Sequence, residues 1–483
     1  MNAPITRLFI AFLVLFALLV AFTSNWSVFD AEELQAKTEN KRPLFEAQQI
    51  RPGKIFTSDG EVIADSKSKG KGDALRYIRS YPLGSLFGNP VGYSFLTQGA
   101  TGLERSEQAV LTGDDNEFVS LLDQLRGYSQ EGSDIVTTLN AQAQQVATDQ
   151  LAAQESPGAV VVIEPQTGAV RVMASTPGYD PNTIPENLGD LAQEGTDSPL
   201  FDRATQSTYP PGSTFKVVTA AAALDSGAAT PDTILSGASP QTFSGVPLSN
   251  AGGEQFGDID MRTGLTNSVN TYFAQLGESV GPETLIEYMK RFGFEQDPEV
   301  ELPDGEKVAS GIYNAKGNLV DSGFDIARVA IGQGGEEGQI LASPMQMAEV
   351  AATVANGGTL MKPTLVQEIK DPDGRTTQEL DPQVQSEVMS SDTAGALAEM
   401  MTSVVEEGTA AGLSLGGTTF AGKTGTAEID IEADIAQPWF IAFAPVEDPQ
   451  IAVAATIQSC TGCFGGDTAG PIATAVMQDL LGQ

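Results

Sequence analysis

The longest unbroken apolar stretch runs from Leu8 to Phe22, preceded by Arg7 and extended by Thr23 to Trp26. A helix needs about 20 residues to cross a bilayer. The stretch therefore predicts a membrane anchor over residues 1–26, with Trp26 at the boundary and the short positive end inside. No clear A-x-A site follows it, which favours an uncleaved anchor over a signal peptide. No second run reaches spanning length, so the rest of the chain is expected outside the membrane.

Residues 27–45 are polar and charged and read as a stalk. Short strand-like runs and turns follow. Ser58-Asp59-Gly60 separates Lys54–Phe56 from Glu61–Ala64 and predicts a hairpin. Ser66–Lys71, all Lys, Ser and Gly, reads as a solvated loop. Asp134–Leu139 reads as a strand. Over 140–154, Ala143, Val146, Ala147 and Leu151 recur at helical spacing and predict an amphipathic helix. These segments are expected to form a smaller module, residues 27–155.

From Gly158 the pattern changes. Gly158–Ile163 and Ala169–Ala174 are apolar runs around Pro165-Gln166-Thr167-Gly168, which predicts a hairpin. Residues 175–212 are loop-rich, and Val217–Leu224 reads as a buried helix. Helical segments and loops alternate to about residue 415. Strand-like segments return at Thr418–Thr426, Trp439–Ala444 and Ile451–Ile457, and Ala469–Leu481 reads as a final helix. Strands at both ends with helices between predict an α+β domain, residues 156–483: an antiparallel sheet shared by its two ends and flanked by helices.

Composition narrows the chemistry. Asp and Glu number 63 against 26 Lys and Arg, a formal charge of −37. Such a surface repels phosphate backbones, which sets nucleic acid aside as a partner. It suits a salty or alkaline exterior and fits compositional drift equally well. The chain has no histidine. That excludes Ser-His-Asp and Cys-His hydrolases and most zinc sites. Proton carriers must be Lys, Asp, Glu, Tyr, Ser or Cys. Two cysteines, Cys460 and Cys463, follow the last apolar run. In an oxidising exterior they read as a disulfide pinning a turn, with two free thiols as the alternative.

Three patterns carry candidate chemistry. In Pro210-Pro211-Gly212-Ser213-Thr214-Phe215-Lys216 the prolines stiffen the entry to the helix. Ser213 then sits at a helix N-terminus, with Lys216 on the same face. A lysine there can take the serine's proton if burial lowers its pKa. Alone this spacing is weak: it recurs at Ser66–Lys69 and Ser68–Lys71, and Ser213 also reads as an ordinary N-cap. The second pattern is Ser268-Val269-Asn270, where two polar side chains can face one cleft. Ser249-Asn250 shows how ordinary such pairs are. The third is Lys423-Thr424-Gly425-Thr426 on a strand. Alternation puts Lys423 and Gly425 on one face and the threonines on the other. Lys and two hydroxyls suit a carboxylate. Successive patterns lie 55 and 155 residues apart.

In this order, Ser-x-x-Lys, Ser-x-Asn and Lys-Thr-Gly resemble the motif set of penicillin-binding proteins and class A β-lactamases. Nearly the whole chain resembles class B penicillin-binding proteins, and the actinobacterial penicillin-binding protein A group most closely. Asn40-Lys41-Arg42, Arg51 to Gly60, Tyr81-Pro82 and Gly99-Ala100-Thr101-Gly102-Leu103-Glu104 resemble its N-terminal module. Tyr209 to Lys216, Gly332-Gln333-Gly334, Gly408-Thr409-Ala410 and Gly422–Glu428 resemble its transpeptidase domain.

The resemblance implies a peptidoglycan D,D-transpeptidase that β-lactams acylate, anchored in the cell membrane with its catalytic domain outside. Ser213 would be the nucleophile and Lys216 the general base. Ser268 would pass the proton on, Asn270 would hold the substrate amide and Lys423 would support the relay. Thr424 and Thr426 would bind the terminal carboxylate beside Gly425. The backbone N–H groups of Ser213 and Thr426 would form the oxyanion hole. No metal or cofactor is implied. Stem peptides of lipid-linked precursors are the implied substrates, and a membrane glycan polymerase is a suggested partner. A D,D-carboxypeptidase or β-lactamase of the same superfamily, and a scaffold or β-lactam sensor, are the alternatives. The six residues before Arg7 argue against an inner signalling module. Two positions depart from the family: Pro52 separates Arg51 from Gly53, and Gln437-Pro438 stand where members often carry His-Ala. The latter leaves the cleft rim open to difference.

Overall fold

The computed structural model describes residues 2–24, 50–71, 75–113, 131–192, 198–430 and 433–482. The expected stalk, Trp26 and the Asn40-Lys41-Arg42 motif lie outside them. The first apolar stretch is one helix, Asn2–Ser24. Its segment Ile5–Ser24 packs against none of the other described residues and is long and apolar enough to cross a membrane.

A first sheet of six strands runs in the order Thr376–Glu379, Val366–Lys370, Asp134–Thr137, Ile55–Phe56, Val62–Lys69, Arg76–Ser80. Ile55 and Phe56 pair in parallel with Ile135 and Val136, and the other neighbours are antiparallel. The expected hairpin around Ser58-Asp59-Gly60 is present. The expected loop at Ser66–Lys71 is not: Ser66 pairs with Arg79 and Ser68 with Tyr77. This ribbon is largely exposed near the sheet edge, so its strand carries no apolar alternation to betray it. Nor does chain order reveal that a hairpin over 366–379 completes this sheet.

One ion pair is buried here. Arg79 donates to Glu104 Oε1 and Oε2 at 2.8 and 3.2 Å, and both side chains are 3% exposed. Tyr81 donates to the same carboxylate at 3.1 Å, and Arg79 also donates to Gly53 O at 2.8 Å. Arg and Glu each find their polar partners inside the module, so neither ion is left bare.

The second sheet is antiparallel, in the order Ala421–Asp430, Ile435–Ala444, Ile451–Ile457, Gly158–Ile163, Val170–Thr176. The two ends of this region share the sheet as expected. Every residue of Gly158–Ile163 and Ile451–Ile457 is buried. Their continuous Val, Ala and Ile runs, without polar alternation, suit strands covered on both faces. The helix Pro344–Ala355 covers one face; Ala469–Leu480 and Ala141–Ala152 cover the other. Ala143, Ala147 and Leu151 make the buried face of that last helix. It precedes residue 155 in sequence yet packs on the second sheet. A short helix, Ile184–Leu191, occupies part of the stretch expected as loop.

Ala421–Asp430 is the edge strand, and among the described residues no strand pairs with its outer side, which suits a partner in extended conformation. The turn Gly212–Phe215 lies against this strand and runs into the buried helix Lys216–Asp225. The site is built there.

The buried pair makes a testable claim about the first module. Glu104→Ala leaves the Arg79 guanidinium desolvated and should lower stability by about 3–5 kcal/mol, measured by urea unfolding of the full-length protein. A loss below about 1 kcal/mol would show that solvent reaches Arg79.

Candidate active site

Ser213 sits in a single 3-10 turn that runs directly into Lys216–Asp225. Two contacts fix that entry. The Trp439 indole donates to Pro210 O at 3.0 Å, and the Thr214 hydroxyl donates to Pro211 O at 2.7 Å. The Ser-x-x-Lys spacing then brings the two side chains together, with Ser213 Oγ 2.9 Å from Lys216 Nζ. Ser213 is half-buried and reachable from solvent, whereas Lys216 is fully buried.

The second motif joins helices Met261–Thr266 and Asn270–Val280. Ser268 adopts φ +55°, a conformation that side-chain-bearing residues seldom take. This turn aims Ser268 O and Asn270 Oδ1 at Lys216 Nζ, each at 2.7 Å, with Ser268 Oγ at 3.2 Å. From the edge strand, Lys423 Nζ donates to Ser268 Oγ and to Thr424 O, both at 2.9 Å. Ser268 Oγ thus bridges the two lysines.

The contacts around Lys216 Nζ accommodate a neutral amine. A neutral amine has two N–H groups and one lone pair. Ser268 O and Asn270 Oδ1 accept only, so each claims an N–H. The lone pair then falls to the Ser213 hydroxyl. The Asn270 orientation is set independently, because its amide nitrogen donates to Ser249 O at 2.9 Å. Electrostatics agree. Burial pushes the Lys216 amine well below the usual lysine range, and the Lys423 charge pushes it further the same way. Burial brings Lys423 down to about 7. A fully buried ammonium is unfavourable because protein replaces its water shell.

Alternation along Ala421–Asp430 holds. Lys423 points to Ser268, while Gly425 lies against the turn carrying Ser213. A Cβ on Gly425 would come within 2.8 Å of Pro211 O and 2.9 Å of Thr214 Cγ2. Thr424 and Thr426 project to the other side. The Thr424 hydroxyl lies 2.6 Å from that of Thr409, and Thr426 Oγ1 accepts from Gly465 N at 3.2 Å. Cys460 and Cys463 form a disulfide. Gln437 is buried and donates to Thr456 Oγ1 at 3.3 Å.

The three motifs therefore converge as expected. Sequence reasoning missed four residues around them. Ser249 and Asn250, set aside as an ordinary polar pair, are structural partners of the second motif. Ser249 O holds Asn270, and buried Asn250 accepts from Thr271 N and Oγ1 at 3.0 and 3.1 Å. Thr409 and Gly465 hold the two threonines. All four act across long sequence separations; Gly408-Thr409-Ala410 marks Thr409 by resemblance without its contact, and no local pattern marks the other three.

Comparison with known proteins agrees with this geometry. A family model described as the penicillin binding protein transpeptidase domain matches residues 158–478. Another, described as the penicillin binding protein A dimerisation domain, matches residues 52–135. The chain is 35% identical over 506 residues to a peptidoglycan D,D-transpeptidase, PbpA, of Mycolicibacterium smegmatis, covering 100% of this chain and 99% of the relative. A PbpA of Mycobacterium tuberculosis is 33% identical, with the same coverage. The solved ceftriaxone acyl-enzyme complex of penicillin-binding protein A from M. tuberculosis has a TM-score of 0.78 to this fold. The two are 31% identical, covering 90% of this chain and 99% of the other.

The lowered lysine pKa values predict a pH dependence of stability. Below about pH 7 the fold must bury a charged Lys423. Between about 7 and the ordinary lysine range, the unfolded chain holds a proton that the folded chain has released, so stability rises with pH across that window. Urea unfolding of the wild type from pH 7 to 10 should therefore gain more stability than Lys423→Met does. Parallel curves would mean that Lys423 titrates as an exposed lysine.

Proposed function

The chain belongs to the penicillin-binding protein transpeptidase family, and on that premise we propose that it cross-links peptidoglycan stem peptides through a serine acyl-enzyme. The observation that carries the reading is the Ser213–Lys216 contact, with both lysine N–H groups already engaged.

Ser213 Oγ attacks the carbonyl of the penultimate D-Ala of a donor stem peptide. Lys216 takes the hydroxyl proton on its lone pair. The backbone N–H groups of Ser213 and Thr426 receive the developing oxyanion. Loss of one such donor costs about 100- to 1000-fold in comparable enzymes. Ser268, bridging Lys216 and Lys423, hands a proton to the leaving nitrogen as the C–N bond breaks and the terminal D-Ala departs. Lys423 supports this relay with its charge. An amine of a second stem peptide then attacks the ester, its proton returns along the same path, and the new amide is the cross-link. Asn270 has one amide N–H engaged by Ser249 O. Its second N–H serves the substrate amide. Thr424 and Thr426 take the terminal carboxylate. β-Lactams acylate Ser213 in place of the stem peptide, as ceftriaxone does in the M. tuberculosis relative.

The helix Asn2–Ser24 holds the chain in the cell membrane with the catalytic region outside. Residues 27–155 serve as a pedestal and residues 156–483 as the catalytic domain, with a membrane glycan polymerase as partner. Co-purification from mild detergent tests that partner, and no capture after crosslinking counts against it.

The activity is tested with full-length protein in detergent, a pentapeptide donor and an amine acceptor. Release of D-Ala should accompany formation of the donor–acceptor adduct. Ser213→Ala should abolish both, and Lys216→Met should slow acylation by about 100- to 10,000-fold. D-Ala release with water as the sole acceptor would make the protein a carboxypeptidase. An active Ser213→Ala would overturn the mechanism.

A further inference from the structure

The Cys460–Cys463 pair has no part in the mechanism above. It closes a turn whose first residues pair with the start of Ile435–Ala444, Cys460 opposite Ala436 and Thr461 opposite Ile435. Gly462 N donates to Asp434 O at 2.9 Å. Beyond the disulfide the chain runs onto the sheet beside the third motif. A Cβ on Gly465 would stand 2.3 Å from Gly425 O, 2.3 Å from Trp439 O and 2.9 Å from Gly425 N. Only glycine permits so close an approach. The far end is tied to the last helix, where Thr468 N donates to Phe464 O at 3.0 Å and Gly470 N to Gly465 O at 2.8 Å. The segment is a strap fastened at both ends, and its middle donates Gly465 N–H to Thr426 Oγ1.

A hydroxyl that accepts from a fixed N–H keeps its own proton for another partner. With Gly465 as donor, Thr426 presents O–H, which suits an anion. The hydroxyls of Thr409 and Thr424 pair beside it, where either can be the donor. We propose that the strap from Cys460 to Gly466 is a positioning element for the carboxylate of the acyl donor. It fixes the Thr426 hydroxyl as a donor, and the disulfide keeps the strap seated on the edge strand. The proposal rests on the reading that Thr424 and Thr426 bind that carboxylate.

The test compares acylation rates for two thioester donors, one with a free terminal carboxylate and one with its methyl ester. The readout is the ratio of the two rates, which a general loss of packing leaves unchanged. Full-length wild type, Thr426→Val, Gly465→Ala and the double variant Cys460→Ser/Cys463→Ser are compared. Thr426→Val sets the scale. Gly465→Ala and the double variant should each lower the carboxylate preference by about tenfold, as expected for a hydrogen bond to a charged group. If Gly465→Ala does not fold, the double variant carries the test, since it introduces no larger side chain. An unchanged preference in the strap variants, beside a lost preference in Thr426→Val, overturns the strap while sparing the carboxylate reading. An unchanged preference in Thr426→Val removes the reading and the proposal together. Equal losses on both donors would reduce the strap to ordinary packing.

Discussion

A lysine amine held out of water, with every hydrogen-bonding position assigned, is the constraint on which this site depends. Lys216 is fully buried and faces two carbonyl-type oxygens that can only accept. An ammonium could give its third N–H to a neighbouring hydroxyl, but it would carry the full desolvation penalty of a buried charge. The neutral amine satisfies both acceptors and still has a lone pair for Ser213. In a chain without histidine, this is how a serine hydroxyl finds a base.

The fold exists to hold that arrangement from three directions. The 3-10 turn Gly212–Phe215 and the start of the helix at Lys216 supply serine and base. The interhelical turn at Ser268, in its unusual backbone conformation, supplies the acceptors and the bridging hydroxyl. The edge strand supplies the second lysine and the threonines. These elements are far apart in sequence, so their relative placement rests on the buried sheet between them. That sheet closes the second region by pairing Gly158–Ile163 with Ile451–Ile457. Ser249 and Asn250 brace the interhelical turn, and Trp439 braces the entry to Ser213. Strained backbone at Ser268 is tolerated because its surroundings over-determine it.

What was legible in the sequence is what local spacing controls. Ser213 and Lys216 share a helical face because they are three residues apart, and Lys423 and Gly425 share a strand face because they are two apart. The strand Ile451–Ile457 is legible because a fully buried strand is continuously apolar. What escaped is set by distant partners. The strand at Ser66–Lys69 is polar because its sheet edge faces water, so it reads as a loop. The hairpin over 366–379 joins a sheet begun three hundred residues earlier. Ser249-Asn250 is indistinguishable from any polar turn until Asn270 and Thr271 are brought against it. The same holds for Gly465, whose lack of a side chain gains meaning only beneath the edge strand.

The pH dependence of Ser213 acylation by a β-lactam, followed on the full-length protein, tests the central claim most directly. A neutral Lys216 at physiological pH predicts an acid limb well below the ordinary lysine range and full reactivity at neutral pH. Acylation that climbs only as pH approaches 10 would show that Lys216 is charged in the resting protein, and the account of how Ser213 is activated would fail.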